Sequence, residues 1–367
     1  MKGERACVPE LLCAAGAAVV VSTCEAQTES RSAACRFGEA SALLTVDRAP
    51  QQIPIGGVML RRSLPVIARS VVLAMAVLVA GCGVIRTSAI RSVADTLSEG
   101  GTTITSHNDP ELIEGALPFA LTLYESLLNS IPKHEPLLTA TCAAYVQYAH
   151  GFVQVHAEET QFDDYERSRH YTDRALNLSL RGRDYCWRGL EVRFRNVAPR
   201  LKRDPVAAVA AAERAHVPLL YWAAASLGAA ISLGGIDHPE LLIDWPVVRA
   251  LGERALALDE TWGNGALHEL LMTIESQGEA LGGSEERARK HFARAIEIQK
   301  GLSPSPYLGF ALSLAKSRQD RMEFEDLLRR ALAIDPDQAP DNRLVTLIMQ
   351  KRARFFLDHV DDLFLEE

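Results

Sequence analysis

Apolar and polar residues follow a helical period over most of the chain, from Asn108 to the C-terminus. In the stretch 111–129, for example, apolar side chains recur three and four residues apart, which places them on one face of an α-helix. No stretch shows the several alternating β-branched segments that a sheet requires. The pattern therefore predicts an all-α domain over residues 108–367.

Proline and acidic residues mark the predicted helix ends. Asp109 is suited to cap a helix whose first turn holds Pro110, and this helix is expected to end near Pro132. Pro118 lies inside it and should kink it, because proline lacks the N–H that a helix interior uses. The next helix is predicted to begin at Pro136.

A five-residue pattern, Arg-Ala with Leu or Ile at the third and fifth positions, recurs in the predicted helices. The copies begin at Arg174, Arg254, Arg294 and Arg330. Around the third copy, Ala288, Phe292 and Ala295 share one helix face. Small residues there admit a neighbouring helix, and the aromatic ring fills the space between the two helices.

The last three copies are spaced 40 and 36 residues apart, and each leads into a turn. This arrangement is typical of the second helix of a tetratricopeptide (TPR) hairpin, whose repeat is about 34 residues long. The first-helix half of that motif is poorly matched. The sequence therefore predicts a degenerate TPR-like array of helical hairpins, with an irregular helical bundle that reuses the pattern as the alternative.

A lipidation signal precedes this domain. Residues 78–82 read Leu-Val-Ala-Gly-Cys, a lipobox in front of a cysteine, and residues 70–80 form a short apolar run. The arginines upstream of the run are those of a cationic signal-peptide start: Arg61, Arg62 and Arg69. A chain that begins at Met59 would open as a bacterial signal peptide does. We therefore predict that Cys82 is acylated and becomes the mature N-terminus.

Three segments before the helical domain follow from this prediction. Residues 1–58 are interpreted as an upstream extension from an over-early start codon, 59–81 as the signal peptide and 82–107 as a tether with a short helix. Acyl chains on the cysteine would hold the protein on a membrane without a spanning helix. Gly83 is not an acidic retention signal, which favours the outer membrane, facing the periplasm.

Two alternatives stand beside the lipobox. Residues 71–80 are too short to span a bilayer, which takes about 20 residues, but they could form a buried helix. Residues 11–21 could be a signal peptide of their own.

Net charge and cysteine content limit the partners and the covalent links that the chain could have. Without residues 1–81, which hold eight Lys or Arg and six Asp or Glu, the net charge changes from −8 to −10. Such an acidic chain argues against nucleic acid as a partner. Cys142 and Cys186 could form a disulfide in an exported protein or remain two buried thiols.

Several long blocks, in order along the chain, resemble the TPR-containing lipoproteins associated with tripartite ATP-independent periplasmic (TRAP) transporters, the T component. The blocks are 112–128, 179–191, 217–233, 254–271, 321–337 and 350–365. The likeness runs from about residue 82 to the C-terminus. It implies a non-enzymatic, helical periplasmic protein that binds the substrate-binding P component, contains a cavity and can form homo-oligomers.

The residues give few signs of chemistry. His268-Glu269 begins like a zinc-binding H-E-x-x-H helix, but Met272 stands where the second histidine belongs, and a structural hydrogen bond to a neighbouring repeat is the preferred interpretation. No catalytic set, metal-binding cluster or cofactor motif can be assigned. The sequence thus predicts no enzyme, no metal and no cofactor.

Six residues are candidates for contact with a ligand or partner: Tyr221, Trp222, Trp262, Asn264, His268 and Glu269. The aromatic pair at the start of this set lies in an apolar helix and could belong to the core instead. The Trp-Gly-Asn-Gly stretch that begins at Trp262 could be an ordinary inter-helix turn. We predict an apolar-walled cavity with a few polar groups that receives a small apolar or organic-acid ligand.

Two functions of different class remain. The first is an accessory lipoprotein of a TRAP-type importer that binds its P component. The second is a general TPR scaffold that assembles an envelope complex.

Overall fold

The computed structural model describes residues 87–99 and 101–365. Within these ranges the regular structure is entirely helical, with no β-strand, which confirms the predicted all-α class. The predicted extension 1–58, the signal peptide 59–81 and Cys82 lie outside the described residues.

The α-helices are α1 (87–99), α2 (Gly101–Thr105), α3 (Pro110–Ser130), α4 (Glu135–Tyr148), α5 (Gln154–Thr160), α6 (Tyr165–Arg193), α7 (Val197–Arg203), α8 (Pro205–Val209), α9 (Val217–Gly234), α10 (Trp245–Leu258), α11 (Ala266–Glu275), α12 (Glu285–Gln299), α13 (Ser305–Phe310), α14 (Arg321–Leu332) and α15 (Arg343–Asp358). Two π-helical segments, Ala149–Val153 and Ala311–Ala315, follow α4 and α13 directly.

The predicted helix starts are close to the observed ones. The Asp109 carboxylate caps α3 by accepting a hydrogen bond from the backbone N–H of Leu112 at 3.0 Å. The helix continues through Pro118 to Ser130. Helix α4 begins one residue before Pro136.

Successive helices from α9 onward pack as neighbours: α9 with α10, α11 with α12, and α13 with α14. Ala288 and Ala295 on α12 are fully buried, as the face pattern predicts. Phe292 stacks on Phe310 of α13, with ring centroids 4.5 Å apart. The copy of the repeated pattern at Arg174 lies inside α6 rather than at a helix end. The TPR-like register stays a prediction.

The C-terminal helix packs against the N-terminal ones. Ile113 and Leu117 of α3 share a hydrophobic cluster with Leu344 and Ile348 of α15. Helices α3 and α15 therefore stabilise each other, and removing either would open this hydrophobic cluster.

A disulfide joins Cys142 on α4 to Cys186 on α6, 44 residues apart. This decides between the two states that the sequence left open. Closing a loop of this length stabilises a fold by about 4 kcal/mol in the chain-entropy model.

The predicted tether is more ordered than expected. Helix α1 spans 87–99, and its Ala94 is fully buried in a hydrophobic cluster with residues of α3 and α4. The Asp95 carboxylate lies 3.0 Å from Nε2 of His134. The packed domain therefore begins well before residue 108, because α1 buries apolar surface that a solvated tether would expose.

One stretch of the described chain, Arg214–Gly234, is long and apolar enough to cross a membrane by length and composition. It contains α9, whose buried side chains lie in the largest hydrophobic cluster of the domain.

Candidate functional site

Helix α9 is buried on most sides but keeps one accessible stripe. Its half-buried residues recur about every four positions: Tyr221, Trp222, Ala225, Gly228 and Ala229. A helix so apolar would bury this stripe too if a neighbour covered it. The stripe is therefore a partly open wall of small and aromatic residues, with Gly228 lying against Val248 of α10.

The turn before α11 places a third aromatic ring at this wall. Gly263, Asn264 and Gly265 have positive φ angles of 62°, 53° and 91°. Glycine and asparagine adopt such angles at least cost, so the Gly-Asn-Gly sequence is what this turn demands. Gly265 also lies against the Ala295 backbone, where a Cβ would lie 3.5 Å from the carbonyl oxygen.

Three of the six predicted site residues meet as a group of rings. The Tyr221 centroid lies 4.9 Å from that of Trp222 and 4.8 Å from that of Trp262. All three side chains are half-buried, so their rings pack on the core and still present accessible surface. Asn264 is exposed on the turn beside them. We call Tyr221, Trp222, Trp262 and Glu269 the aromatic recess.

Glu269 supplies the charge of the recess. Its carboxylate accepts a short hydrogen bond from the Nε2 amide of Gln299 on α12. Burial raises the pKa of Glu269 to about 7, and the Gln299 bond offsets only part of that effect. Burial also raises the pKa of Tyr221, and the nearby Glu269 charge adds to it.

His268, next to Glu269 in sequence, points elsewhere. Its Nε2 lies 3.2 Å from a Glu260 oxygen, and its Nδ1 lies 2.8 Å from Nδ1 of His291 on α12. The hydrogen bond from Arg294 holds the pKa of Glu260 at about 2, so Glu260 is an acceptor and His268 donates to it. His268 thus makes a hydrogen bond to the next helix; that this helix belongs to a neighbouring repeat stays a prediction.

An outer cleft of about 560 Å³ lies on the side of α11 that His268 faces. Its lining includes Arg249, Glu275, Arg287 and His291. The Glu275 carboxylate is 4% exposed and lies 2.6 Å from Nη1 of Arg249 and 2.8 Å from Nη2 of Arg287. No sequence signal marks this cleft, because its residues are charged positions that resemble an ordinary solvated helix face.

A second polar cluster, around Arg352, likewise has no sequence signal. Arg352 on α15 is 4% exposed and makes a two-point ion pair with Glu158 at 2.6 and 2.8 Å. It also lies 3.3 Å from Nε2 of His150, in the first π segment. Lys316 follows the second π segment directly, and burial lowers its pKa. Neither π segment has a sequence signal, although such segments are frequent at functional sites.

The Lys316 ammonium has no ion-pair or hydrogen-bond partner among residues 87–99 and 101–365. Within the same ranges, no group of three or more His, Cys, Asp or Glu is arranged to hold a metal ion.

Comparison with known proteins gives the family. A family model described as the TRAP transporter T-component matches residues 106–364. The chain belongs to this family. An uncharacterized protein of Treponema pallidum (strain Nichols) is 31% identical over 267 residues, which cover 71% of this chain and 82% of the relative. The predicted membership of the T component is therefore confirmed, and this protein is an accessory component of a TRAP transporter. The TPR repeats and the lipid anchor stay predictions.

Proposed function

We propose that this T component is a non-enzymatic periplasmic lipoprotein that binds the substrate-binding P component of its transporter and receives a small ligand in its helical domain. The observation that carries the proposal is the partly open wall on α9 and α11. A buried apolar helix with an accessible aromatic stripe is expected where something other than the chain itself fills the space.

Lys316 supports an organic acid as one class of ligand. Its half-buried ammonium stands beside Glu158, whose two oxygens already accept from Arg352. A carboxylate that enters beside it would compensate a charge that burial disfavours.

Helix α3 supports self-association. Leu112 and Phe119 are 57% and 72% exposed, and no exposed residue from Leu112 to Ser130 is charged. The two acidic residues of this stretch are paired, Glu114 with His156 and Glu125 with Arg181. Copies of an acidic protein repel each other, so an uncharged face is the surface through which they could associate.

Membrane attachment is proposed through acylated Cys82. Mass spectrometry of the native protein should find acylated Cys82 as the N-terminal residue. Cys82→Ser should release a folded protein from the membrane. A peptide from residues 1–58 in native cells would contradict the proposed start.

Analytical ultracentrifugation of the mature domain with the P component encoded beside it tests the partner. We expect a joint boundary whose mass exceeds that of either protein, consistent with an interface of about 1,600 Å². Alone, the chain should sediment as an oligomer, and Phe119→Asp should reduce its mass. Met322→Asp is the matched control, because Met322 is 85% exposed on α14. Independent sedimentation of the two proteins at tens of micromolar would favour the envelope-scaffold alternative.

A further inference from the structure

Glu269 differs from the other carboxylates that the domain buries. Glu125, Glu158 and Glu275 each lie within 2.7 Å of an arginine nitrogen. For Glu269, in contrast, no cationic side chain lies within ion-pair distance among the described residues, and its one hydrogen-bond donor is the neutral amide of Gln299. A carboxylate removed from water without a counter-charge is costly, so its place calls for a cation from outside the chain.

The rings around Glu269 favour the same kind of ligand. Tyr221 contacts both tryptophans, at 4.9 and 4.8 Å between centroids, and all three rings keep accessible surface. The face of an aromatic ring carries partial negative charge and attracts cations, with tryptophan the strongest of the three. The Glu269 charge acts on Tyr221, the ring that contacts both tryptophans. Aromatic rings with a carboxylate nearby are the arrangement by which proteins recognise alkylated ammonium groups.

We propose that the aromatic recess binds the alkylated ammonium group of an organic cation or zwitterion, with Tyr221, Trp222 and Trp262 around the alkyl groups and the Glu269 carboxylate as the counter-charge. This extends the ligand-receiving role proposed above by naming a chemical class. The recess is separate from the Lys316 cluster, and its carboxylate selects the opposite charge.

An organic cation fits the recess better than a metal ion does. A hard cation such as Na⁺ or Ca²⁺ takes several oxygen ligands, whereas the recess offers one carboxylate among rings. An alkylated ammonium is weakly hydrated, so it loses little water on entering an apolar wall. A neutral ligand of the same shape would gain the ring contacts and leave the Glu269 charge uncompensated.

Protonation of Glu269 competes with binding of this cationic ligand. The groups that act on Glu269 are Tyr221 from α9 and Gln299 from α12, and neither carries a charge near neutral pH. His268 on the same helix is engaged with His291 and Glu260, and no charged group of α10 or α13 pairs with Glu269 in the described chain. Lowering the pH through the raised pKa of Glu269 should therefore weaken cation binding.

Choline and its uncharged carbon isostere dimethylbutanol provide the test, by isothermal titration calorimetry on the purified mature chain. We expect saturable choline binding in the millimolar range or tighter, and binding of the isostere at least about tenfold weaker. Choline affinity should fall about tenfold from about pH 8 to about pH 6, because the ionised fraction of a carboxyl with a pKa near 7 falls by that factor.

Two variants locate the site. Glu269→Gln should lower choline affinity at about pH 8 by about tenfold and abolish the difference between the two pH values. Glu286→Gln makes the same chemical change at an exposed position of α12, where the carboxylate pairs with Lys290, and should leave both unchanged. Trp262→Leu should weaken choline binding without removing its pH dependence.

Three results would overturn the inference: no saturable choline binding, equal affinity for choline and dimethylbutanol, or choline binding that Glu269→Gln leaves intact. The measurement uses the chain alone. A negative result in the choline titration therefore does not bear on association with the P component. Likewise, independent sedimentation of the two proteins would not bear on choline binding.

Discussion

Helix α11 carries a buried glutamate, Glu275, and a half-buried one, Glu269, with opposite surroundings. Glu275 lies between Arg249 and Arg287, and although burial alone would raise its pKa, the two guanidinium groups hold it below its ordinary value. Glu269, on the face toward the recess, has only the Gln299 amide, and burial raises its pKa to about 7. One helix thus presents a compensated charge to one side and an uncompensated charge to the other.

The difference separates charges that hold the fold together from charges that are open to a ligand. In the outer cleft every acidic group nearest α11 has a cationic neighbour within the chain, as Glu260 has in Arg294. Such networks satisfy themselves and give a ligand little to compensate. The recess leaves its carboxylate without a cationic partner among the described residues.

The largest expected effect comes from breaking the compensated side. Glu275→Ala should lower the free energy of unfolding by about 2 to 4 kcal/mol, because it leaves the partly buried Arg249 with only the more distant Glu253 carboxylate, at 3.5 Å. Part of the loss is screened, since Arg287 is half exposed. Urea unfolding followed by circular dichroism measures it. A change no larger than that of a surface substitution would show that the cleft network does not stabilise the fold.

The next effect tests α12, which contributes Gln299 to the recess and His291 to the outer cleft. Ala295→Leu should cost about 1 to 3 kcal/mol, because Ala295 is fully buried against the turn at Gly265. Glu297→Leu, at an exposed position of the same helix, should cost little. Equal thermal melting temperatures for the two variants would contradict this packing.

A stabilising change is expected on the uncompensated side. Glu269→Gln should raise the free energy of unfolding by about 1 to 3 kcal/mol at about pH 8. The folded-state pKa of Glu269, about 7, lies above the unfolded value of 4.5, so the folded protein binds the extra proton between the two and loses stability as pH rises through this window. Unfolding curves of both proteins from acid to alkaline pH should therefore converge at low pH. A difference in the free energy of unfolding that stays constant at all pH values would disprove that Glu269 titrates in this window.

The smallest effect belongs to an exposed pair. Glu286 and Lys290 are 2.7 Å apart on α12, with both side chains more than two thirds exposed. Glu286→Gln should leave the free energy of unfolding almost unchanged, and the remaining difference should vanish at high salt. A loss in the free energy of unfolding as large as that of Glu275→Ala would show that buried and surface charges do not differ in their contribution to stability.

Part of the site was predictable from residue types. Tyr221, Trp222, Trp262 and Glu269 were selected for their chemistry, and the structure brings them together. Asn264 lies at the rim, where the Gly-Asn-Gly turn explains its position. His268 could not be separated from Glu269 by sequence, because adjacent helical positions differ in direction by about 100° and only the neighbouring helices decide what each faces.

The outer cleft and the Lys316 cluster were not predictable in the same way. Arg352 and Glu158 are 194 residues apart and meet only because α15 packs against the N-terminal helices. Pairings of this separation leave no periodic signal. The π segments that place His150 and precede Lys316 likewise have no sequence signature.

The sequence by itself determined the all-α class, the starts of α3 and α4 and the family. Local patterns are sufficient for these, since capping, proline positions and apolar periodicity act within a few residues. It also placed Ala295 on a packed face. Only the tertiary structure decided that Cys142 and Cys186 are bonded, that α1 docks, and which glutamate of α11 has a counter-charge. Those outcomes depend on which distant side chains come within a few ångströms, because charge compensation is a property of the surroundings and not of the residue.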